Sequence, residues 1–202
     1  MNFLRLKSGV MDQFRQKYPQ YWLDMLVDKV KAQQSPGSDE LIFGKILAVL
    51  RNDTLGMELI VPGINIVTDD GDTYYAQMAG GETPTNDFSA GGLRLGSDAT
   101  SPTKSDTDVT TFLATSGHAL DATYEKTNDG DSDNTGAGVD ILTWRFSYLT
   151  SEGNVSAIEE GAIVDNITTP TVALTHFLFA ATFSKTSSDT LKVFVNHTFT
   201  GV

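Results

Sequence analysis

Residues 141–149, "ILTWRFSYL", alternate apolar and polar side chains along their whole length. The apolar positions of one face are Leu142, Trp144, Phe146 and Tyr148, and the polar positions of the other are Thr143, Arg145 and Ser147. Successive side chains of a strand point to opposite faces, so this period of two predicts a strand with one face on a core. The stretch favours antiparallel β-structure.

Other parts of the C-terminal two-thirds follow the same period. "THFLFAATF" (175–183) and "TLKVFVNHTF" (190–199) each predict a strand. The turn cluster "SKTSSD" (184–189) between them predicts that the two form one long antiparallel hairpin. "ELIVPGINIVTDDGDTYYAQMA" (58–79) predicts two more strands, around Pro62-Gly63 and Asp70-Gly71. Short strands with loops rich in Gly, Thr, Ser and Asp are typical of an antiparallel β-sandwich or jelly roll.

The N-terminal region has a helical pattern. In "YWLDMLVDKVKAQ" (21–33) an apolar stripe at helical spacing consists of Trp22, Leu23, Leu26, Val27 and Val30. We expect this stripe to pack on the protein's own body or on a neighbouring copy. "ELIFGKILAVLRND" (40–53) fits a helix or a buried strand equally well. We therefore divide the chain into a helical docking segment, 1–51, and a β-sandwich domain, 52–202.

Composition limits the classes of partner. The chain has 202 residues and no cysteine, which excludes disulfides and thiolate metal sites. The net charge is −12, and residues 52–202 hold 21 of the 26 acidic side chains. An acidic body repels phosphates, so we expect no direct contact with nucleic acid. No stretch approaches the roughly 18 consecutive apolar residues of a membrane span, so we expect no membrane partner.

The densest acidic stretch is "NDGDSDNTGAGVD" (128–140). Asp129, Asp131, Asp133 and Asp140 occupy the first, third, fifth and twelfth places of a calcium loop of the EF-hand type. Asn134 replaces the glycine of that loop, and the flanking sequences predict strands where an EF-hand has helices. We expect a solvated hairpin loop without metal, and these four aspartates are the only candidate ligands.

The remaining motifs predict no enzyme and no cofactor. His118, His176 and His197 show no metal-ligand spacing, and the strand parity of His197 places it in the core or an interface. Glu159 and Glu160 are adjacent, so on a strand they point to opposite faces and cannot act on one substrate. Glu160 is expected on the same face as Ile158, buried and paired with Arg145 or Lys185, because an unpaired buried carboxylate is costly.

Three segments together resemble a widespread group of tailed-bacteriophage virion proteins. They are "LRLGSDATSPTKSDTDV" (93–109), "WRFSYLTSEGNVSAIEEGAIVD" (144–165) and "HFLFAATFSKTSSDTLKVFVNHTF" (176–199). The similarity covers residues 72–202. The matching residues are Leu95, Gly96, Pro102, Asp106, Ile158, Glu160, Gly161, Ala162, Phe183, Lys185, Asp189, Leu191 and Val193. Ser97-Asp98 stands where the group more often has Thr-Gly.

The resemblance implies a structural, multi-copy protein of the virion. The group is similar to neck, collar, tail and fibre-anchor proteins, and some similar sandwiches decorate capsids as cement proteins. It implies a homo-oligomer whose partners are other virion structural proteins. An alternative from another class is a β-sandwich module that binds carbohydrate or a cell surface, with Trp144 and the 128–140 loop as its candidate binding elements.

Overall fold

The computed structural model describes residues 3–6, 42–127 and 141–199. The described part is mainly β-structure with one α-helix. Its elements are β1 (Phe3–Leu6), β2 (Ile42–Asn52), β3 (Met57–Val67), α1 (Asp69–Ala79), β4 (Gly92–Gly96), β5 (His118–Ala119), β6 (Lys126–Thr127), β7 (Ile141–Tyr148), β8 (Ile158–Val164), β9 (Ala173–Phe183) and β10 (Thr190–Phe199). No helix of these residues is long and apolar enough to cross a membrane.

The strands form one curled antiparallel sheet. Its strand order is β5-β4-β8-β9-β3-β2-β10-β7-β6, and β1 pairs with β3 outside this path. The sheet curls far enough for its two ends to approach each other. The backbone N–H of Asp121, just after β5, donates to the carbonyl of Arg145 in β7 at 3.0 Å. The curled sheet therefore has an inner face and an outer face.

The inner face encloses the main core. Trp144 and Phe146 are fully buried and Tyr148 nearly so, which confirms the alternation predicted for residues 141–149. Core residues come from both halves of the sheet, among them Ile46, Leu93, Ile158, Phe177 and Val195. Because β2, β4, β7, β8, β9 and β10 share this cluster, the curl is held by apolar burial between strands that are far apart in the sheet order.

The prediction that residues 175–183 and 190–199 pair as one hairpin is wrong. β9 lies between β8 and β3, whereas β10 lies between β2 and β7. The β2–β3 hairpin is inserted between them. The turn at 184–189 does form, since the Asp189 carboxylate accepts bonds from the N–H and hydroxyl of Thr186. A turn signal specifies only that the chain reverses, and the pairing partners are chosen by the rest of the sheet.

Residues 58–79 form one strand and one helix, and not the two strands predicted. β3 passes through Pro62, which lies between the stretch paired with β1 (57–60) and the stretch paired with β9 (63–67). The missing N–H of proline is tolerated in such a gap. The helix begins at Thr68, whose hydroxyl accepts from the N–H of Gly71 at 3.0 Å. Acidic residues in its first turn favour the positive end of the helix dipole.

The boundary between the predicted docking segment and the domain also needs correction. Ile42–Asn52 is a strand that pairs with β3 and β10, so residues 42–51 belong to the sheet. Phe3–Leu6 is a strand as well. Ile46 and Ala48 are buried on the inner face, and Leu47 and Val49 lie on the outer face. Apolar residues on both faces leave no alternation to read, which is why the sequence alone left helix and strand open. The predicted helix over 21–33 lies outside the described residues.

Candidate functional site at Glu160 and His176

The most connected polar site in the described residues lies on the outer face, at β8 and β9. Glu160 of β8 pairs with Gly96 of β4, and His176 of β9 pairs with Ala162 of β8. Both side chains are buried, at 0% and 1% exposure. They lie beneath residues 97–112, which we call the covering loop.

Glu160 is buried, as predicted, but it does not share a face with Ile158. Ile158 lies in the main core, while Glu160 contacts the covering loop on the opposite side. The pairing register of β8 with β9 shifts between these two residues. The pairing advances two residues on β8 and five on β9 at this point, so the strand is irregular and the alternation of a regular strand does not carry over from Ile158 to Glu160.

The Glu160 carboxylate binds the covering loop through its backbone. Oε1 accepts from the N–H of Thr111 at 2.9 Å and from that of Asp98 at 3.3 Å. Oε2 accepts from the N–H of Thr110 at 2.9 Å and faces Nε2 of His176 at 2.8 Å. One carboxylate thus satisfies three backbone donors from both ends of the loop, which a loop packed on a sheet would otherwise bury without partners.

His176 connects Glu160 to a second carboxylate. Its Nδ1 lies 2.6 Å from Oδ2 of Asp106, which also accepts from the N–H of Thr103. The Thr103 hydroxyl donates to the other oxygen of Asp106 at 2.6 Å. Both ring nitrogens face carboxylates, and an imidazole can donate from both only when it is protonated. The geometry therefore favours an imidazolium between two carboxylates.

The electrostatics of the cluster agree with this charge state. Burial alone would lower the pKa of His176, but hydrogen bonds and charges from Glu160 and Asp106 outweigh it and raise the pKa. For both carboxylates burial acts upward and is likewise outweighed. Hydrogen bonds from His176 and from the N–H groups of Thr111 and Thr110 lower the pKa of Glu160. The Thr103 hydroxyl and N–H, followed by His176, lower the pKa of Asp106.

Gly96 is required beneath the carboxylate. A Cβ at this position would overlap the Glu160 side chain, whose atoms are its nearest neighbours. The covering loop returns here, since Phe112 forms a bridge with Gly96. The carbonyl of Leu95 accepts the backbone N–H of Leu113 at 3.0 Å in the same place. The absence of a side chain at residue 96 is therefore what lets Glu160 lie between the sheet and the loop.

A second ion pair holds the same loop. The guanidinium of Arg94 lies 2.9 Å from Asp108, stacks 3.5 Å over the ring of Phe112 and donates to the carbonyl of Ile167 at 2.8 Å. Val109 packs in a small apolar cluster with Ala162, Val164 and Ala173. The covering loop is thus fixed by charge, by hydrogen bonds and by apolar contact.

Chemically, this arrangement holds a loop in place. Neither nitrogen of His176 is available as a base to a ligand, because each is engaged by a carboxylate and the ring itself is buried. The predicted partners of Glu160 were wrong. Arg145 pairs with Asp121 at 2.6 Å, and Lys185 donates to Asn154 at 3.0 Å. Asp106 and Glu160 were among the residues of the family resemblance, but no sequence signal indicated that His176 lies between them.

His197 forms a separate buried polar group, as its parity predicted. Its Nε2 lies 2.7 Å from Nδ2 of Asn65, and its Nδ1 lies 2.5 Å from the hydroxyl of Tyr75. The indole N–H of Trp144 donates to the same hydroxyl at 3.2 Å. Complete burial lowers the pKa of His197 to about 3. This histidine is therefore neutral, in contrast to His176.

The remaining residues predicted as candidate ligands or binding elements are the four aspartates of residues 128–140 and Trp144. Asp129, Asp131, Asp133 and Asp140 lie outside the described residues. The strands on either side, β6 and β7, pair in antiparallel register, as expected for a hairpin and unlike the helices of an EF-hand. Within the described ranges no group of three or more His, Asp or Glu side chains could hold a metal ion. Trp144 has no exposed surface, so it cannot stack on a sugar.

No protein-family model, curated protein or solved structure matches the chain.

Proposed function

We propose that this protein is a structural component of a tailed-phage virion, present in many copies and docked on neighbouring virion subunits at the neck, collar or tail. The observation that carries the proposal is the meeting of its motif residues. Gly96 and Asp106 come from the first segment of the resemblance and Glu160 comes from the second, and the three converge in one cluster with His176. Motif residues that contact one another behave as one structural unit, which supports the resemblance.

The proposal includes a β-sandwich architecture for the curled sheet. Its support is the single core shared by strands from both halves of the sheet. The approach of residue 121 to β7 adds to this, since it brings the two ends of the strand order together. Two sheet halves that face each other over one core are the arrangement of a sandwich or jelly roll.

One end of the sheet is the proposed docking surface, together with the part of the N-terminal segment between β1 and β2, residues 7–41. Leu55 in the β2–β3 turn and Leu149 after β7 are 66% and 61% exposed. The register of β2, β10 and β7 places both at the same end of the sheet. Exposed apolar residues grouped at one end are typical of a contact surface between proteins.

Association of the purified full chain tests the oligomer part of this proposal. We expect a homo-oligomer in light scattering, and the double variant Leu55→Asp, Leu149→Asp should shift it to monomer with an unchanged circular-dichroism spectrum. Met78→Asp is the matched control, because Met78 is 50% exposed but lies on α1. A monomeric wild-type chain, or equal effects of the two surfaces, would contradict the proposed docking surface.

Mass spectrometry of purified particles tests the virion role directly. Particles made by a phage that encodes this chain should contain it in a fixed, multi-copy ratio to the other structural proteins. Its location on the capsid surface would select the alternative role as a capsid decoration protein. Its absence from the particles would reject both roles.

A further inference from the structure

The outer face of β3, β2 and β10 carries an apolar patch, which we call the outer apolar face and which Lys192 and Asn196 border on β10. Its residues are Leu47, Val49, Ile60, Pro62, Ile64 and Phe194. They pair across the strands in rows, with Leu47 between Pro62 and Phe194 and with Val49 beside Ile60. Their neighbours in sequence, such as Ala48, Val61 and Val195, fill the inner core. Strands that are apolar on both faces are typical of a sheet covered on both sides.

Burial on this outer apolar face also points to a cover. Phe194 is only 4% exposed, yet it belongs to neither core cluster of the described residues. Leu47, Val49, Ile60 and the rest of the face are half-buried. An apolar surface spread over three adjacent strands is larger than an isolated exposed side chain, and its exposure would be unfavourable.

The path of the chain indicates what lies there. β1 and β2 both run antiparallel to β3, so they are parallel to each other, on opposite sides of it. β1 ends at Leu6 beside Met57, while β2 begins at Ile42, near the other end of β3. The 35 residues from 7 to 41 must therefore return along about 30 Å of sheet and cross β3.

A connection between parallel strands crosses one face of the sheet, and usually contains a helix. The inner face is closed to it, because Ile46 and Val61 are fully buried in the core there. The outer apolar face is open to it. Residues 21–33, with their apolar stripe, would form a helix of about 20 Å, which matches the length of the face.

We infer that the apolar stripe of residues 21–33 packs on the outer apolar face of the same chain, as the crossover between β1 and β2. Attachment to the same chain gives the segment a high effective concentration at this face, which favours it over a second copy. The charged side of the segment, with Asp24, Asp28, Lys29 and Lys31, is then left for neighbouring subunits. The inference does not depend on the proposed virion role.

The absence of cysteine allows a direct test in the full-length chain. A single cysteine at Val49→Cys should react slowly with a bulky maleimide. Adding Leu26→Asp and Val30→Asp to the apolar stripe should increase its rate about tenfold or more, as for loss of a cover worth over 1.4 kcal/mol. Asp28→Asn, on the charged side of the segment, is the matched control and should leave the rate unchanged. Rates that do not respond to the stripe variants would overturn the inference.

A second measurement needs no destabilising substitution. A short bifunctional maleimide should link Leu26→Cys to Val49→Cys within one chain, and should link Asp28→Cys to Val49→Cys much less. Peptide mapping of the monomeric product identifies the link. Mixing the Leu26→Cys variant with the Val49→Cys variant tests whether a second copy of the chain covers the face instead. Links formed mainly between different chains would show that a second copy covers the face, and no link at all would show that the stripe lies elsewhere; either result rejects the inference.

Discussion

The carboxylate of Glu160 lies directly over Gly96, so that a side chain at residue 96 would occupy the same space. The two residues are paired neighbours on β8 and β4. Glu160 can reach the backbone of Thr110 and Thr111 only across this glycine. The fit of an acidic side chain to a glycine is what attaches the covering loop to the sheet.

We therefore expect Gly96→Ala to destabilise the protein by about 2 kcal/mol or more, since overpacking next to a buried carboxylate displaces its hydrogen bonds. Urea unfolding measures the change. Gly80→Ala, at the end of α1 with no contact closer than 3.4 Å for a new Cβ, should be nearly neutral. In a Glu160→Ala background the cost of Gly96→Ala should fall, because the overlapping carboxylate is gone. An equal cost in both backgrounds would contradict this account.

Glu160→Ala should destabilise the protein by about 3 kcal/mol or more, because it leaves the buried His176 and three part-buried backbone donors without this acceptor. Glu159→Ala is the adjacent control. Among the described residues Glu159 accepts one bond, from the exposed hydroxyl of Thr182 at 2.7 Å, so its loss should change the free energy of unfolding by about 0.5 kcal/mol or less. Comparable effects of the two substitutions would mean that the cluster does not hold the loop.

The cluster should also make stability depend on pH in a defined direction. Because the pKa of His176 is raised on folding, its protonation stabilises the folded state. This stabilisation is complete below pH 6.5, the ordinary pKa of histidine, and is lost as the pH rises through the raised pKa. Because the pKa of Glu160 is lowered on folding, its ionised form stabilises the folded state above pH 4.5, the ordinary pKa of glutamate. This stabilisation is lost as the pH falls through the lowered pKa. The destabilisation by His176→Gln should therefore be largest between these two values and smaller at pH 9. A larger effect at high pH would exclude the imidazolium.

His197 should affect the pH dependence of stability in the opposite direction to His176, because its pKa is lowered and not raised on folding. Its pKa of about 3 when folded means that below pH 6.5 the unfolded chain binds a proton that the folded chain does not. When the pH falls from 7 to 5, the titration of His197 should lower the free energy of unfolding by roughly 2 kcal/mol. His197→Gln should therefore lose less stability on acidification than the wild type, as measured by urea unfolding at both values. An unchanged loss would show that His197 titrates normally.

The acidic residues 128–140 should contribute little to stability. Replacing Asp131 and Asp133 by Asn, or adding EDTA, should shift the melting temperature by about 2 °C or less, as expected for charges in water. Differential scanning fluorimetry measures this. A drop of several degrees on chelation that calcium reverses would contradict the hairpin-loop hypothesis and establish the four aspartates as ligands.

Several features of this protein could be predicted from sequence because they depend on local pattern. The alternation in residues 141–149 placed Trp144 and Phe146 in the core, since side-chain direction in a strand repeats every two residues. The parity of His197 placed it there too. The helix at Asp69–Ala79 had a local signal that the strand prediction overlooked, namely Thr68 followed by an acidic first turn.

Only the tertiary structure decided the features that depend on partners distant in sequence. Which strands lie beside β9 and β10 depends on pairing along the whole sheet, and the turn between them carries no information about it. β2 is a strand because β3 and β10 satisfy its backbone on both sides. His176 is the partner of Glu160 because the irregular pairing of β8 with β9 places both side chains on the outer face, where the covering loop brings Asp106 to the same histidine. Periodicity records which way one side chain points along its own strand, whereas a buried charge cluster depends on where three segments meet in space.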